Sequence, residues 1–393
     1  MCVVEWKKLG EVMQIVRGAS PRPINNYLTT DINGVNWIKI GDVSVNDKYI
    51  TKTKEKITKE GASRSRYLKP GDFILSNSMS FGRPYILKTD GCIHDGWIAM
   101  SNFNEYLISG YLYEVLSSNE VQQYWKMKAN NGGAMINLNS DIVRETLIPI
   151  PSLAKQQEIV SQLDTFTTLI SNLESELDMR RKQYEHYRNQ LLDFEGVEGV
   201  EWKTLGDLSL KITDGAHTSP KSTSEGYYMP SVKDMTDYGF DFSDCKIISE
   251  EDYEDLKRIG CQPNVSDILI AKDGSMLRYV FALKEKLDIV LLSSIAIITP
   301  KQELIMSEYL VHYLKQSSVR EIVIRDYSSK GGVPRIILKN FKKIIIPTPA
   351  INIQQQIVEK LDAFEQLIQS LETEIKLRKQ QYEYYREKLL TFE

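Results

Sequence analysis

Residue types that can donate to phosphates or to base edges gather in four turn-like segments of this chain. RGASPRPINN (17–26) and SNSMSFGRP (76–84) lie in its first half, TDGAHTSPKS (213–222) and AKDGSMLRY (271–279) in its second. Arginine and lysine hold phosphates or guanine. Asparagine, serine, threonine and histidine read base edges. The candidate contacts in the first half are Arg17, Arg22, Lys39, Asn77, Ser78, Ser80, Arg83 and His94. In the second half they are His217, Thr218, Lys221, Lys233, Lys272, Asp273, Ser275 and Arg278. The same composition suits any solvent-facing turn, and His94 and His217 read equally well as surface histidines.

Catalytic signatures are absent from the sequence. It contains no G-x-G-x-x-G, no G-x-x-x-x-G-K-[ST], no G-x-S-x-G and no Asn/Asp-Pro-Pro-Tyr/Phe. Asp72 and Asp267 follow turn residues and open strands, where acidic side chains ordinarily serve the turn. The four cysteines (Cys2, Cys92, Cys245, Cys261) and four histidines (His94, His186, His217, His312) are scattered, without metal-ligand or disulfide spacing. No catalytic residue and no metal site is expected.

The elements that must position these loops come from a duplication. Residues 148–195 and 346–393 align without gaps at an offset of 198, with 25 of 48 positions identical. EWKKLGEV (5–12) returns as EWKTLGDL (201–208). The chain is thus two tandem copies, each a long variable block followed by a near-constant segment. The expected boundaries are 1–147, 148–196, 197–345 and 346–393.

The constant segments carry an apolar heptad seam. In the first copy it runs through Ile159, Leu163, Phe166, Ile170, Leu173, Leu177, Arg180, Tyr184, Tyr187, Leu191 and Phe194. In the second it runs through Ile357, Leu361, Phe364, Ile368, Leu371, Ile375, Arg378, Tyr382, Tyr385, Leu389 and Phe392. Proline pairs (Pro149 and Pro151, Pro347 and Pro349) fix the start of each helix. Arg180 and Arg378 interrupt the seam: either each snorkels to water, or each sets register against a carboxylate such as Glu174 or Glu372. Each stripe must be covered, and the other copy is its nearest cover. About 36 residues at roughly 1.5 Å each make a rod of ~55 Å. An antiparallel pair would relate the copies by an approximate two-fold axis.

In the variable blocks, apolar runs alternate with Gly, Pro, Asn, Ser and Asp. NWIKIGDV, DFILSNS and YILKTDG, then YYMPSVKDM, DILIAKDG, YVFALKE and IVLLSSIAIITP, read as strands. SGYLYEVLSSNEVQQYWKMKAN and MSEYLVHYLKQSSVREIVIRDY read as helices, each followed by a glycine pair, Gly132-Gly133 and Gly331-Gly332. The fold class is α+β: two similar α+β domains, each followed by a long helix, the helices forming an antiparallel coiled coil with pseudo-two-fold symmetry. Preserved connectors beside divergent loops point to recognition of two unlike things.

With 393 residues, 42% of them hydrophobic and 26% charged, the chain is that of a multi-domain globular protein. No apolar run reaches membrane-spanning length. MCVVEWKKLGEV lacks a basic-then-apolar leader pattern, so a cytoplasmic protein is expected. The net charge of −4 is unevenly spread: residues 1–147 carry +3 and the remaining three segments −3, −2 and −2. An acidic cluster (Asp244, Glu250, Glu251, Asp252, Glu254, Asp255) outweighs the basic surface of the second block.

The order variable block, constant helix, variable block, constant helix resembles the specificity subunit of type I restriction-modification systems. The resemblance spans the whole chain. It rests on EWKKLGEV and EWKTLGDL, on GDFILSNS and SDILIAKDG, and on IPIPSLAKQQEIVSQLD and IPTPAINIQQQIVEKLD. Where such chains usually show Glu-Gln at the helix start, this one has Gln156-Gln157-Glu158 and Gln354-Gln355-Gln356. The resemblance implies that each variable block reads one half of a bipartite, asymmetric target in double-stranded DNA. The helices would set the spacer, at most about 16 base pairs at roughly 3.4 Å each, and dock two modification (methyltransferase) subunits. S-adenosylmethionine and ATP are then expected on the modification and restriction (translocase/endonuclease) partner subunits and no cofactor on this chain. Two alternatives remain at this point: the specificity chain of a related methylating nuclease, and a coiled-coil scaffold without direct DNA contact.

Overall fold

The computed structural model describes residues 4–44, 47–77, 81–129, 137–329 and 335–392. It divides into two compact units. Unit 1 joins Met1–Glu174 to Glu374–Glu393, and unit 2 is Ser175–Thr373. These units cross the boundaries drawn from the repeat. Each takes one variable block, half of the helix that follows it and half of the other long helix. Of the sequence features singled out, Ser78, Ser80, Gly132-Gly133 and Gly331-Gly332 lie outside the described residues.

Both units are built on one sheet order. In unit 1, Gln14–Arg17 pairs with Trp97–Ser101, which pairs with Phe73–Ser76, then Pro84–Leu87, with Tyr49–Ile50 at the edge. In unit 2 the same places are taken by Ser209–Asp214, Ile295–Pro300, Ile268–Ala271 and Val280–Ala282. The strands are near-continuous apolar runs because both faces of the sheet are covered. Alternate residues sort to opposite faces, as the two-residue strand period requires. Phe73 and Leu75 pack with Tyr111, Leu112, Ile159 and Leu163, whereas Ile74 packs with Tyr85, Trp97 and Ile38. Unit 2 repeats the division, with Ile268 and Ile270 on one side and Leu269 and Ala271 on the other.

What covers the second face differs. Unit 1 adds a five-stranded sheet, Leu28–Thr29, Glu55–Ile57, Val35–Ile38, Gly91–Ile93 and Arg66–Leu68. In unit 2 loop residues Met235, Phe240, Phe242, Ile289 and Leu291 cover that face, while the pair Tyr227–Tyr228 and Ile247–Ile248 builds a separate small cluster with the helix Glu250–Arg258. That helix holds five of the six residues of the acidic cluster, all but Asp244. Ser249 caps it by accepting from the Asp252 N–H, and three acidic residues occupy its first turn, where the helix dipole favours them.

The long helices Leu153–Leu191 and Ile351–Leu390 are joined to the domains by the same four hydrogen bonds in each copy. Gln156 is wholly buried. Its amide nitrogen donates to the Tyr106 and Pro151 carbonyls, and its oxygen accepts from the Ile108 N–H. Gln354 does the same with Leu304, Pro349 and Met306. Tyr111 and Tyr309 donate their hydroxyls to the Pro149 and Pro347 carbonyls. The glutamine at each helix start is therefore a structural clamp that satisfies backbone groups buried at the joint. The strands Glu5–Lys8 and Glu201–Thr204, which hold the repeated Glu-Trp-Lys strings, pair antiparallel with Leu147–Ile150 and Ile345–Thr348 just before each proline-led start.

Within each unit the helix halves run antiparallel. In unit 1 Phe166 stacks on Tyr385 and Glu174 pairs with Lys379. In unit 2 Tyr187 stacks on Phe364 and Arg181 pairs with Glu372. Ile159, Leu163, Ile170, Ile357, Leu361, Ile368, Leu371, Ile375 and Tyr184 are buried. Leu173, Leu177, Phe166, Phe364, Tyr382 and Tyr385 are half-buried, and Tyr187 stays exposed at the edge of its stack. Among the described residues no helix is long and apolar enough to cross a membrane.

The late helical stretches and one apolar run depart from expectation. Each late helical stretch is two helices, Ser109–Ser117 with Asn119–Ala129 and Ser307–Leu314 with Ser317–Tyr327. The breaks fall at Ser118 and Gln316, both in extended conformation. Only Ile295–Pro300 of IVLLSSIAIITP is a strand; Ile289 and Leu292 make single parallel bridges instead. Of the two readings left open for the seam arginines, the pairing follows the first, with each side chain lying along its own helix. Arg180 pairs with Glu176 and Gln183, and Arg378 with Glu374 and Gln381, all on their own helix. The next residue in each copy makes the cross-helix pair instead, Arg181 with Glu372 and Lys379 with Glu174. A guanidinium rooted in the seam reaches water most directly along its own helix, whereas a flanking side chain faces the opposite rod.

Candidate nucleic-acid interface

The first strand of the shared sheet ends at a glycine that its surroundings demand. Gly18 follows Arg17 and Gly215 follows Asp214. A Cβ on Gly18 would stand 2.1 Å from the His94 carbonyl oxygen, and one on Gly215 would stand 2.0 Å from that of Leu291. The loop must cross another backbone at touching distance, which only glycine permits. Strand register fixes which residues of the two units correspond. Arg17 faces Ile98, which faces Leu75; Asp214 faces Ala296, which faces Ile270. Arg17 and Asp214 therefore hold one scaffold position, and Asn77 and Lys272 hold another.

In unit 1 five of the candidate residues converge near Asp95. Its Oδ1 accepts from the Ser20 hydroxyl (2.9 Å) and its Oδ2 from Arg22 Nη2 (3.0 Å). Its backbone carbonyl accepts from Arg17 Nε (3.0 Å) and Asn77 Nδ2 (3.2 Å). The Ser20 hydrogen bond and then the Arg22 guanidinium hold the Asp95 carboxyl below the usual carboxylate range, against the effect of burial. His94 is next in sequence. Burial pushes its imidazole below the ordinary histidine value, and Nδ1 accepts from the Gly96 N–H (2.8 Å). A neutral ring bonded this way carries its proton on Nε2 and can donate from that side. Lys39 is paired with Glu55. Arg22, Asn25, Trp37, Lys39, His94 and Asp95 line one open recess of about 480 Å³. Arg83 lies in the turn before Pro84–Leu87, outside this group.

Unit 2 places its groups differently. Lys272 is buried, with its ammonium 3.2 Å from Asp214 Oδ2 and 3.7 Å from Asp273 Oδ1. Asp214 Oδ1 lies 3.3 Å from Nε2 of the exposed His217. Thr218 and Lys221 follow in the same exposed loop, and Ser275 is exposed in the turn after Ile268–Ala271. Lys233 is paired with Asp234 and Asp244. Arg278 pairs with Asp237 and lies over the Tyr279 ring. It opens onto a separate cleft of about 650 Å³ that it shares with Arg181, Arg188, Arg320 and Glu372. Lys272 is thus a buried ion-pair partner, not a free donor to a ligand. Arg278 does not join His217.

Asp72 and Asp267 serve turns. Asp72 accepts from the Lys69 N–H, and Asp267 accepts from the Asn264 N–H and the Thr299 hydroxyl. Among the described residues one group, His312, Asp362 and Glu365, brings ligand types within metal-binding reach. Its members already have protein partners. His312 contacts Asp362 (2.8 Å) and the Tyr184 hydroxyl (3.1 Å), and Glu365 accepts from Tyr184 and Lys315. In unit 1 the repeat equivalents Glu114, Asp164 and Tyr382 form a similar knot, with Lys48 from another segment supplying the cation: buried Glu114 accepts from Tyr382 (2.6 Å), and Lys48 lies between Glu114 and Asp164. Both knots tie a domain helix to the long helices.

Asp95 and Asp214, the organising carboxylates, were not among the residues expected from sequence. The one available signal was the alignment of Arg17-Gly18-Ala19 with Asp214-Gly215-Ala216.

The family model for the type I restriction modification DNA specificity domain matches twice, over residues 3–179 and 198–378. The chain is 35% identical over 261 residues to the specificity subunit of type I restriction enzyme EcoR124I/EcoR124II of Escherichia coli, covering 62% of this chain and 63% of that one. It is 29% identical over 405 residues to a putative type I restriction enzyme specificity subunit of Haemophilus influenzae, covering 99% and 96%. The chain therefore spans just under two thirds of the first relative and nearly all of the second. A solved structure from work on complex assembly and conformational transition of the type I R-M system shares the fold, with a TM-score of 0.63 at 17% identity over 98% of this chain and 97% of that one. The S subunit from M. genitalium gives 0.53 at 14% identity over 100% and 97%. With the domain matched in both copies, on two units sharing one sheet order and one helix clamp, this chain belongs to the family of type I restriction-modification specificity subunits.

Proposed function

We propose that each unit reads one half of a bipartite, asymmetric DNA target, and that the two long helices fix the spacer and dock the modification subunits. One observation carries this reading. Equivalent scaffold positions hold Arg17 and Asn77 in unit 1 but Asp214 and Lys272 in unit 2, so a shared frame presents unlike chemistry. Direct readout depends on which donors and acceptors meet the base edges, so unlike sets select unlike sequences. Arg17, Arg22 and His94 are the donors of unit 1; His217, Thr218 and Lys221 are those of unit 2.

In this reading the chain supplies recognition without catalysis. Methyl transfer from S-adenosylmethionine and ATP-driven translocation and cleavage belong to the modification and restriction partner subunits. The test is to assemble the full chain with its modification subunits in methylation-free cells and to sequence modified bases genome-wide. The expected motif has two different constant halves separated by a spacer of fixed length. A palindromic or uninterrupted motif, or methylation by this chain without partners, would refute the reading.

A further inference from the structure

A carboxylate stands among the donors of each candidate surface, where it can only weaken attraction to phosphate. Its placement calls for another role. Asp95 ties together three segments: the loop after Gln14–Arg17 through Arg17, Ser20 and Arg22, the residue after Phe73–Ser76 through Asn77, and its own turn before Trp97–Ser101. The Asp95 backbone N–H also donates to the Ser20 hydroxyl. Arg17 is held by Nε, and among the described residues its two Nη groups have no partner.

Unit 2 reaches a similar arrangement from another strand. Asp214 sits where unit 1 has Arg17, and buried Lys272 sits where unit 1 has Asn77. The Lys272 ammonium holds one carboxylate oxygen and the other faces His217 Nε2, whose ring remains exposed. With Nε2 3.3 Å from the carboxylate, the ring has Nδ1 left for a further partner.

We propose that Asp95 and Asp214 are positioning residues for sequence discrimination, the carboxylate of each fixing the direction of an exposed donor (Arg22 in unit 1, His217 in unit 2) before DNA arrives. The inference rests on the two-half-site reading above. Its physical content is preorganisation. A free arginine or imidazole finds a phosphate from many directions, whereas discrimination between bases requires a donor held in one direction. A carboxylate that fixes that direction gives up phosphate attraction in exchange for selectivity.

The experiment uses the full chain assembled with its modification subunits and maps methylated bases in genomic DNA. The variants are Asp95→Asn, Asp214→Asn, and Asp214→Asn with Lys272→Met, which removes the buried charges together. Asp95→Asn is expected to lower discrimination about tenfold at one or more positions of one half-site. The other half-site and the spacer stay as in the wild type. Both Asp214 variants relax only the opposite half. Each unread half is the internal control for assembly and folding.

A bipartite wild-type motif that stays sharp in all variants overturns the inference alone. Relaxation of both halves together, or loss of methylation altogether, also overturns it, because either marks a structural role. A wild-type motif without two halves refutes the functional reading and this inference with it.

Discussion

Replacing Gln156 by alanine tests the joint between domain and helix. The side chain is wholly buried and makes three hydrogen bonds, to Tyr106, Ile108 and Pro151. A buried backbone group left without its partner costs about 1–3 kcal/mol, and Q156A orphans all three, so it should cost at least about 3 kcal/mol. Q156E separates hydrogen bonding from packing. A carboxylate still accepts from the Ile108 N–H but turns lone pairs toward two carbonyls, so at pH 7.5 it should cost at least as much as alanine. Its buried carboxyl would titrate above the unfolded range, so stability is recovered as pH falls toward about 4, where the protonated acid donates one bond. Q157A, on the exposed neighbour, should stay within about 0.5 kcal/mol of wild type. Urea unfolding followed by tryptophan fluorescence suits the measurement, because Trp37, Trp97 and Trp125 are buried in unit 1 and Trp202 is the sole tryptophan of unit 2. A Q156A protein within about 0.5 kcal/mol of wild type, or a Q156E protein more stable than Q156A at pH 7.5, would refute the clamp.

Further outcomes follow from the same geometry. Burial raises the Glu114 carboxyl above its ordinary value despite Tyr382 and Lys48. Its contribution to stability is therefore full below the unfolded range near pH 4 and lost as pH rises through the folded value. E114Q should gain on wild type between pH 4 and pH 7.5 in urea unfolding, and a flat difference would count against this. E174K should cost under about 1 kcal/mol and E174K/K379E should recover most of it, since the 2.7 Å pair is half-exposed. A double-mutant cycle with no coupling would remove that pair from the register. G18A should cost about 2–3 kcal/mol, because its Cβ would meet the His94 carbonyl, whereas G41A, with open space around it, should be neutral. Equal melting temperatures for the two would contradict the close crossing.

The sequence by itself determined what repeats and what has a period. The 198-residue offset, the heptad seam and the apolar runs at Phe73–Ser76, Ile268–Ala271 and Ile295–Pro300 are set by burial at fixed spacing, and spacing is written locally. Duplication then required that each unit repeat the same clamp. The tertiary structure alone decided which side chains meet. Asp95 reaches Arg17 and Arg22 across more than 70 residues because Trp97–Ser101 lies between Gln14–Arg17 and Phe73–Ser76 in the sheet. Asp214 and Lys272 pair for the same topological reason. Arg180 and Arg378 stay on their own helices while Arg181 and Lys379 cross, a choice of one residue that depends on how the rods face each other. Periodicity names the buried face of an element; the partner of a polar group depends on register and loop path, which only the assembled sheet and helices fix.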